Sequence, residues 1–188
     1  MALVLIVDDS PTEVHVLSRY LEKHGFTTAT AADGNEGIEK ARALKPDLVL
    51  MDVVMPGMNG FQATRELSRN TETASIPVIM VTTKGLETDK IWGMRQGAKD
   101  YLVKPVTEAQ LVEKVRAAYR RRRDLMLEAL ARHMPAGVTW TRPEGGMFVW
   151  VTLPPVLDAT ALLARAIERA IWLTSSVCVN RVRKCWPS

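Results

Sequence analysis

Apolar residues along the first 120 positions follow two alternating rhythms. Leu3 to Val7 (LVLIV), Asp47 to Met51 (DLVLM) and Val78 to Val81 (VIMV) are short continuous runs of aliphatic side chains. Such runs suit strands buried on both faces, as in a parallel sheet. Phe26 to Ala31 (FTTATA) is more polar and suits an edge strand, and Tyr101 to Val103 is a short fifth run. Between the runs the apolar spacing lengthens to three and four. Val14, Leu17 and Leu21 form one such stripe, and Ile38, Ala41 and Leu44 another, the pattern of amphipathic helices. Helix starts are well marked. Ser10 to Glu13, Asp33 to Glu36 and Thr107 to Gln110 have capping-box spacing, and Pro11 suits a first helical position. Gly25 and Gly97 fall where those helices should end.

Five strand–helix repeats predict an α/β fold, a doubly wound parallel sheet with helices on both faces and right-handed crossovers. Ligands in such folds gather at the carboxyl ends of the strands. Strand 1 ends in Asp8 and Asp9, strand 3 in Asp52, strand 4 in Thr82, and strand 5 in Lys104, which Pro105 follows. Three carboxylates at one edge repel each other and need compensation. Lys104 and a hard divalent cation would supply it. Mg²⁺ takes oxygen ligands, often one or two carboxylates plus phosphate oxygens. The constellation reads as a metal-assisted phosphoryl site. Taken singly, Asp8 and Asp9 are acids favoured ahead of a helix, and Asp52 is a turn residue before Met55-Pro56-Gly57. Their joint placement at the strand ends carries the phosphoryl reading.

Residues 1–120 resemble the receiver domain of bacterial two-component response regulators. IVDDS, LVLMDVVMPGMNG, VIMVTTK and DYLVKP carry the resemblance. IVDDSPTE, GFQATREL and VTTKGLETDKIWGMRQGAKDYLVKPV are especially similar to single-domain receivers of twitching-motility systems. The resemblance implies a flavodoxin-like (CheY-like) five-stranded sheet in order 2-1-3-4-5, with two helices on one face and three on the other. It implies that Asp52 is the phosphoacceptor for a sensor histidine kinase or chemotaxis-type kinase. Asp9 and Asp52 would hold Mg²⁺ directly, Asp8 through water, and the Val54 carbonyl would be a further ligand. Thr82 and Lys104 would bind the phosphoryl group, and Tyr101 would switch rotamer. A cis bond is expected before Pro105. Helix 4, strand 5 and helix 5 would report the change to a downstream protein. Trp92, beside Ile91 on helix 4, is expected to be partly exposed there.

The pattern changes past residue 120. The last helix, with Leu111, Val115 and Ala118, should run through YRRRRDLMLEALARHM to a stop at Pro135 and Gly137. VTW and MFVWV then read as two strands joined by PEGG, and residues 158–171 as a helix. Residues 121–171, with YRRRRDLMLEAL and WTRPEGGMFVWVTLP leading in, resemble a fragment of the C-terminal small domain of fold-type I pyridoxal-phosphate aminotransferases. The resemblance implies no catalytic function for the fragment, because that family's Schiff-base lysine lies upstream of it. Residues 172–188 fit neither family, and their composition suggests a shifted reading frame. A small appended α/β segment, less stable than the receiver, is therefore expected.

Charge follows the same division. Residues 1–120 hold 15 basic and 16 acidic side chains, and residues 121–188 hold 10 and 5. Arg120 to Arg123 are read as a seam of solvated surface rather than as a grip on phosphates. No helix-turn-helix pattern follows them, so DNA is not expected as a partner. The alternatives are a phospho-regulated DNA-binding transcription factor and a pyridoxal-phosphate aminotransferase. Cys178 and Cys185 fit no zinc spacing, and His15, His24 and His133 have no metal-ligand neighbours in sequence. With no apolar run of about 18 residues to span a bilayer and no signal-peptide pattern at the N-terminus, a cytoplasmic protein is expected.

Overall fold

The computed structural model describes residues 2–143 and 149–155. The chain divides into two units within the arginine run, between Arg121 and Arg122. The first unit begins β1 (Leu3–Val7), α1 (Pro11–Lys23), β2 (Thr27–Ala31), α2 (Gly34–Leu44), β3 (Leu48–Met51) and α3 (Gly60–Arg69). It continues with β4 (Val78–Thr82), α4 (Glu87–Arg95), β5 (Asp100–Val103) and the start of α5 (Glu108–His133). The five strands form one parallel sheet in order β2-β1-β3-β4-β5, as the five repeats predict. Every residue of β3 and β4 is buried, which is why their runs are continuously apolar. The edge strand β2 alternates more and keeps Thr27 and Thr30 exposed.

Two cores follow from the sheet's two faces. Leu5, Val7, Val49 and Met51 pack with Ile38 and Ala41 of α2 and Ala63 and Leu67 of α3. Val4, Ile6, Leu48, Leu50, Ile79 and Val81 pack with Leu17 and Leu21 of α1 and Leu111 and Val115 of α5. Adjacent strand positions thus feed opposite cores. A smaller cluster joins Met80, Val53 and Ala98 to the rings of Phe61 and Tyr101. Phe26 stacks on Tyr119 with ring centroids 5.9 Å apart. Lys23 and His24, at the end of α1, both pair with Glu108 at the start of α5, at 2.9 and 2.8 Å.

Most helix ends behave as their sequences predict. Thr107 and Gln110 close a reciprocal capping box, and Gly25 and Gly97 take φ of +80° and +108° after α1 and α4. Asp33 accepts from the N–H groups of Asn35 and Glu36, but the Glu36 carboxylate reaches the N–H of Ala32 instead of the cap residue. Ile91 and Trp92 are about half exposed on α4.

In the second unit α5 ends at His133, just before Pro135, and Gly137 has φ +89°. β6 (Thr139–Trp140) and β7 (Val151–Thr152) pair antiparallel, Thr139 opposite Thr152. Val151, the last residue of MFVWV, opens the second strand and Val149 and Trp150 precede it, while Met147, Phe148, residues 144–146 of the expected turn and the helix at 158–171 lie outside the described residues. Of the arginine run, Arg121 donates to the Lys99 carbonyl at 3.5 Å. Arg123 pairs with Asp124 and donates to the Pro143 carbonyl at 2.9 Å.

Candidate functional site

The carboxyl edge of the sheet brings the sequence-predicted residues together. Asp8 follows β1 and is 3% exposed. Its Oδ1 accepts from the Ser10 N–H at 2.9 Å, and its Oδ2 accepts from Lys104 Nζ at 2.6 Å. Ser10 consequently closes half of a capping box. Its hydroxyl accepts from the Glu13 N–H at 3.4 Å, but its own N–H is committed to Asp8. Asp52 follows β3 and is 5% exposed. Its Oδ2 accepts from the Val54 N–H at 3.0 Å. Its Oδ1 is buried without a hydrogen bond among the described residues. Lys104 Nζ lies 3.5 Å from that oxygen, an ion pair too long for a good N–H···O bond. Asp9 is exposed beside these two, and one carboxylate oxygen from each aspartate falls within 4.8 Å of the others.

Electrostatics set these groups apart from ordinary surface charges. Burial pushes the Asp52 pKa up. Lys104 pulls it back, Asp8 adds repulsion, and the neighbouring Thr82 hydroxyl favours the charged form without closing a hydrogen bond of ordinary geometry. Burial works against the charge on Lys104. The hydrogen bond to Asp8 and the charges of Asp52, Asp8 and Glu13 outweigh it, so the Lys104 pKa is raised. The ammonium therefore stays charged, yet it faces three carboxylates. The surplus anionic charge and the clustered carboxylates of Asp8, Asp9 and Asp52 fit a hard cation that takes oxygen ligands.

The remaining predicted residues frame this centre. Thr82 is fully buried at the end of β4. Its hydroxyl accepts from the Lys84 N–H at 3.4 Å. Tyr101, on β5, donates its hydroxyl to the Lys84 carbonyl at 2.8 Å and so touches the loop that follows Thr82. Burial, with Asp89 and Asp52 adding to it, pushes its pKa up to about 12. Val54 is 52% exposed, and its N–H fixes Asp52. The Lys104–Pro105 peptide bond is cis.

Sequence reasoning missed two supports. Asn59 and Gln62 close a full capping box at α3, a spacing as legible as the others. It seats Gly60 so closely that a Cβ there would lie 1.9 Å from the Asp52 carbonyl oxygen. Glu13 adds its charge to the field on Lys104, which its place in an expected capping box did not signal.

Residues 4–116 match the model of the response regulator receiver domain. The chain belongs to the response regulator receiver family. Among its relatives, Protein PilH of Pseudomonas aeruginosa is 60% identical over 117 residues, covering 62% of this chain and 97% of that protein. DNA-binding response regulator MtrA of Mycolicibacterium smegmatis is 39% identical over 128 residues. That match takes in 68% of this chain, which spans about half (55%) of MtrA. The receiver fold is shared with chemotaxis protein CheY4 of Vibrio cholerae, at 34% identity and a TM-score of 0.60 over 63% of this chain and 98% of that one. It is also shared with a chain of the CheX–CheY–BeF3–Mg complex of Borrelia burgdorferi, at 31% identity and a TM-score of 0.60 over 63% and 89%. These likenesses place the receiver in two-component signalling. A second match, to aminotransferase class I and II, spans residues 96–187 and so overlaps the end of the receiver. Among the described residues no helix is long and apolar enough to cross a membrane.

Proposed function

We propose that this receiver is a phosphorylation-controlled switch in which Asp52 accepts a phosphoryl group from a kinase phosphohistidine. One observation carries the reading: Asp52 Oδ1 is buried without a hydrogen bond among the described residues, beside a charged lysine and two further carboxylates. That oxygen attacks phosphorus, the O–P bond forms and the N–P bond breaks. The released electron pair returns to the imidazole, which takes up a proton. The Val54 N–H holds the other Asp52 oxygen and so fixes the direction of attack. Lys104 and Thr82 bind the new phosphoryl oxygens, and Lys104 thereby exchanges Asp8 for a stronger anion. Asp8, Asp9 and Asp52, with the Val54 carbonyl, are the residues that would hold Mg²⁺, which when bound supplies positive charge to the phosphoryl oxygens. This is catalysis by positioning and electrostatics.

Tyr101 and the loop it touches carry the change to the face of α4, β5 and α5. Ile91 and Val103 are exposed apolar side chains there, of the kind a protein partner covers. Likeness to PilH supports twitching motility as the setting, a sensor or chemotaxis-type kinase as the donor, and the cytoplasm as the compartment. Residues 1–120 are the switch. Residues 121–171 are an aminotransferase-like fragment to which no reaction is assigned, and the aminotransferase match continues to residue 187, through the stretch that the sequence pattern alone places in neither family. The DNA-binding alternative draws on MtrA, but here the sequence past Arg121 is similar to aminotransferases. The test is transfer from a labelled histidine kinase. Label should leave the kinase and appear on the chain, and Asp52→Asn should receive none. Label on Asp52→Asn would refute the assignment.

A further inference from the structure

Away from the carboxylates, α3 and α4 border a cleft of about 410 Å³. Arg65, Arg69 and Arg95 line it together with Ser68, Gly97 and the half-exposed ring of Trp92. No acidic side chain lines it. Among the described residues none of the three guanidinium groups has an ion pair or hydrogen bond. Glu66, the acid adjacent to Arg65 in sequence, is turned toward Arg42 at 4.0 Å. Three uncompensated cations around one concavity repel each other, so the arrangement favours an anion. Helix dipoles account for Arg69 and Arg95, which end their helices. They do not account for Arg65, in the middle of α3, or for an exposed indole in the same cleft.

We propose that this cleft binds a nucleotide polyphosphate, with the base stacked on Trp92 and the phosphates on the three arginines. Planar guanidinium groups bind phosphate oxygens in pairs, and an indole face is a stacking surface for any base. The volume falls within the range of about 300–1,000 Å³ usual for small-ligand sites. An acidic peptide would satisfy the arginines but leaves the indole without a role.

Calorimetry on the full chain in EDTA tests this, because without divalent cations the aspartates repel a polyphosphate. The probes are adenosine triphosphate, pyrophosphate, adenosine and a polyglutamate peptide. Adenosine triphosphate should bind at one site, at least fivefold tighter than pyrophosphate. Arg65→Gln and Arg69→Gln should each weaken both by about tenfold. Trp92→Leu should weaken adenosine triphosphate alone, and Arg122→Gln, in the arginine run, should change nothing. All four positions are exposed, so the variants should fold. The proposal is overturned if the triphosphate gives no binding at millimolar concentration, or if Arg65→Gln and Trp92→Leu leave its binding intact. It is equally overturned if pyrophosphate or polyglutamate binds as tightly.

Discussion

Replacing Lys104 by methionine keeps the length of the side chain and removes the charge between Asp8 and Asp52. The ammonium lies 2.6 Å from one carboxylate and 3.5 Å from the other. At an effective dielectric constant of about 20 these attractions amount to roughly 6 and 5 kcal/mol. Much of that is offset by the cost of taking the ammonium out of water, since its side chain is 11% exposed. What the variant loses is set by the carboxylates left behind, buried and unpaired, at about 3–5 kcal/mol. That is a large part of the roughly 5–15 kcal/mol that holds a domain together. Asp8→Asn in the Lys104→Met background removes one orphaned charge and should restore about 2 kcal/mol. Urea unfolding in EDTA at neutral pH measures all four members of the cycle. A loss below about 1 kcal/mol for Lys104→Met, or strict additivity in the double variant, would refute the reasoning.

Three further outcomes follow from the same geometry. Mg²⁺ should raise the unfolding temperature of the wild-type chain, as any ligand of the folded state does. In Asp9→Asn that gain should shrink markedly in a thermal shift titration, and an undiminished gain would remove Asp9 from the cation site. Because burial raises the Asp52 pKa above its ordinary 3.8, the folded chain holds that proton more tightly, and stability falls as pH rises from that ordinary value through the raised folded one. In EDTA, Asp52→Asn should therefore be the more stable at pH 7 and lose its advantage on acidification below the carboxylate range, whereas equal stability at both pH values would contradict the shift. Gly60→Ala should cost about 1–3 kcal/mol by forcing α3 away from the Asp52 carbonyl, and an unchanged urea midpoint would show that α3 yields freely.

Much of the fold and nearly all of the candidate site can be read in the sequence, for a physical reason. A parallel sheet buries both faces of its inner strands, so β1, β3 and β4 stand out as unbroken apolar runs. Once those strands are placed, the topology itself brings Asp8, Asp52, Thr82 and Lys104 to one edge. Less legible is what the site does to its own surroundings. Ser10 has the spacing of a capping box, yet the stronger acceptor on Asp8 takes its N–H, and Glu13 contributes charge toward Lys104 instead. Glu36 reaches one residue past its cap to Ala32 because that N–H is within range of its longer side chain. Neither competition leaves a mark in spacing. Val149 and Trp150 belong to the apolar run MFVWV yet precede β7, which opens at Val151, because a strongly apolar run does not mark where pairing begins.

The most direct measurement is the intact mass of the full chain after incubation with a small phosphodonor and Mg²⁺, beside Asp52→Ala. The account predicts one added phosphoryl group, dependent on Mg²⁺ and absent from the variant. A phosphoryl group that still appears on Asp52→Ala, or none on the wild-type chain while its thermal shift shows Mg²⁺ bound, would contradict it.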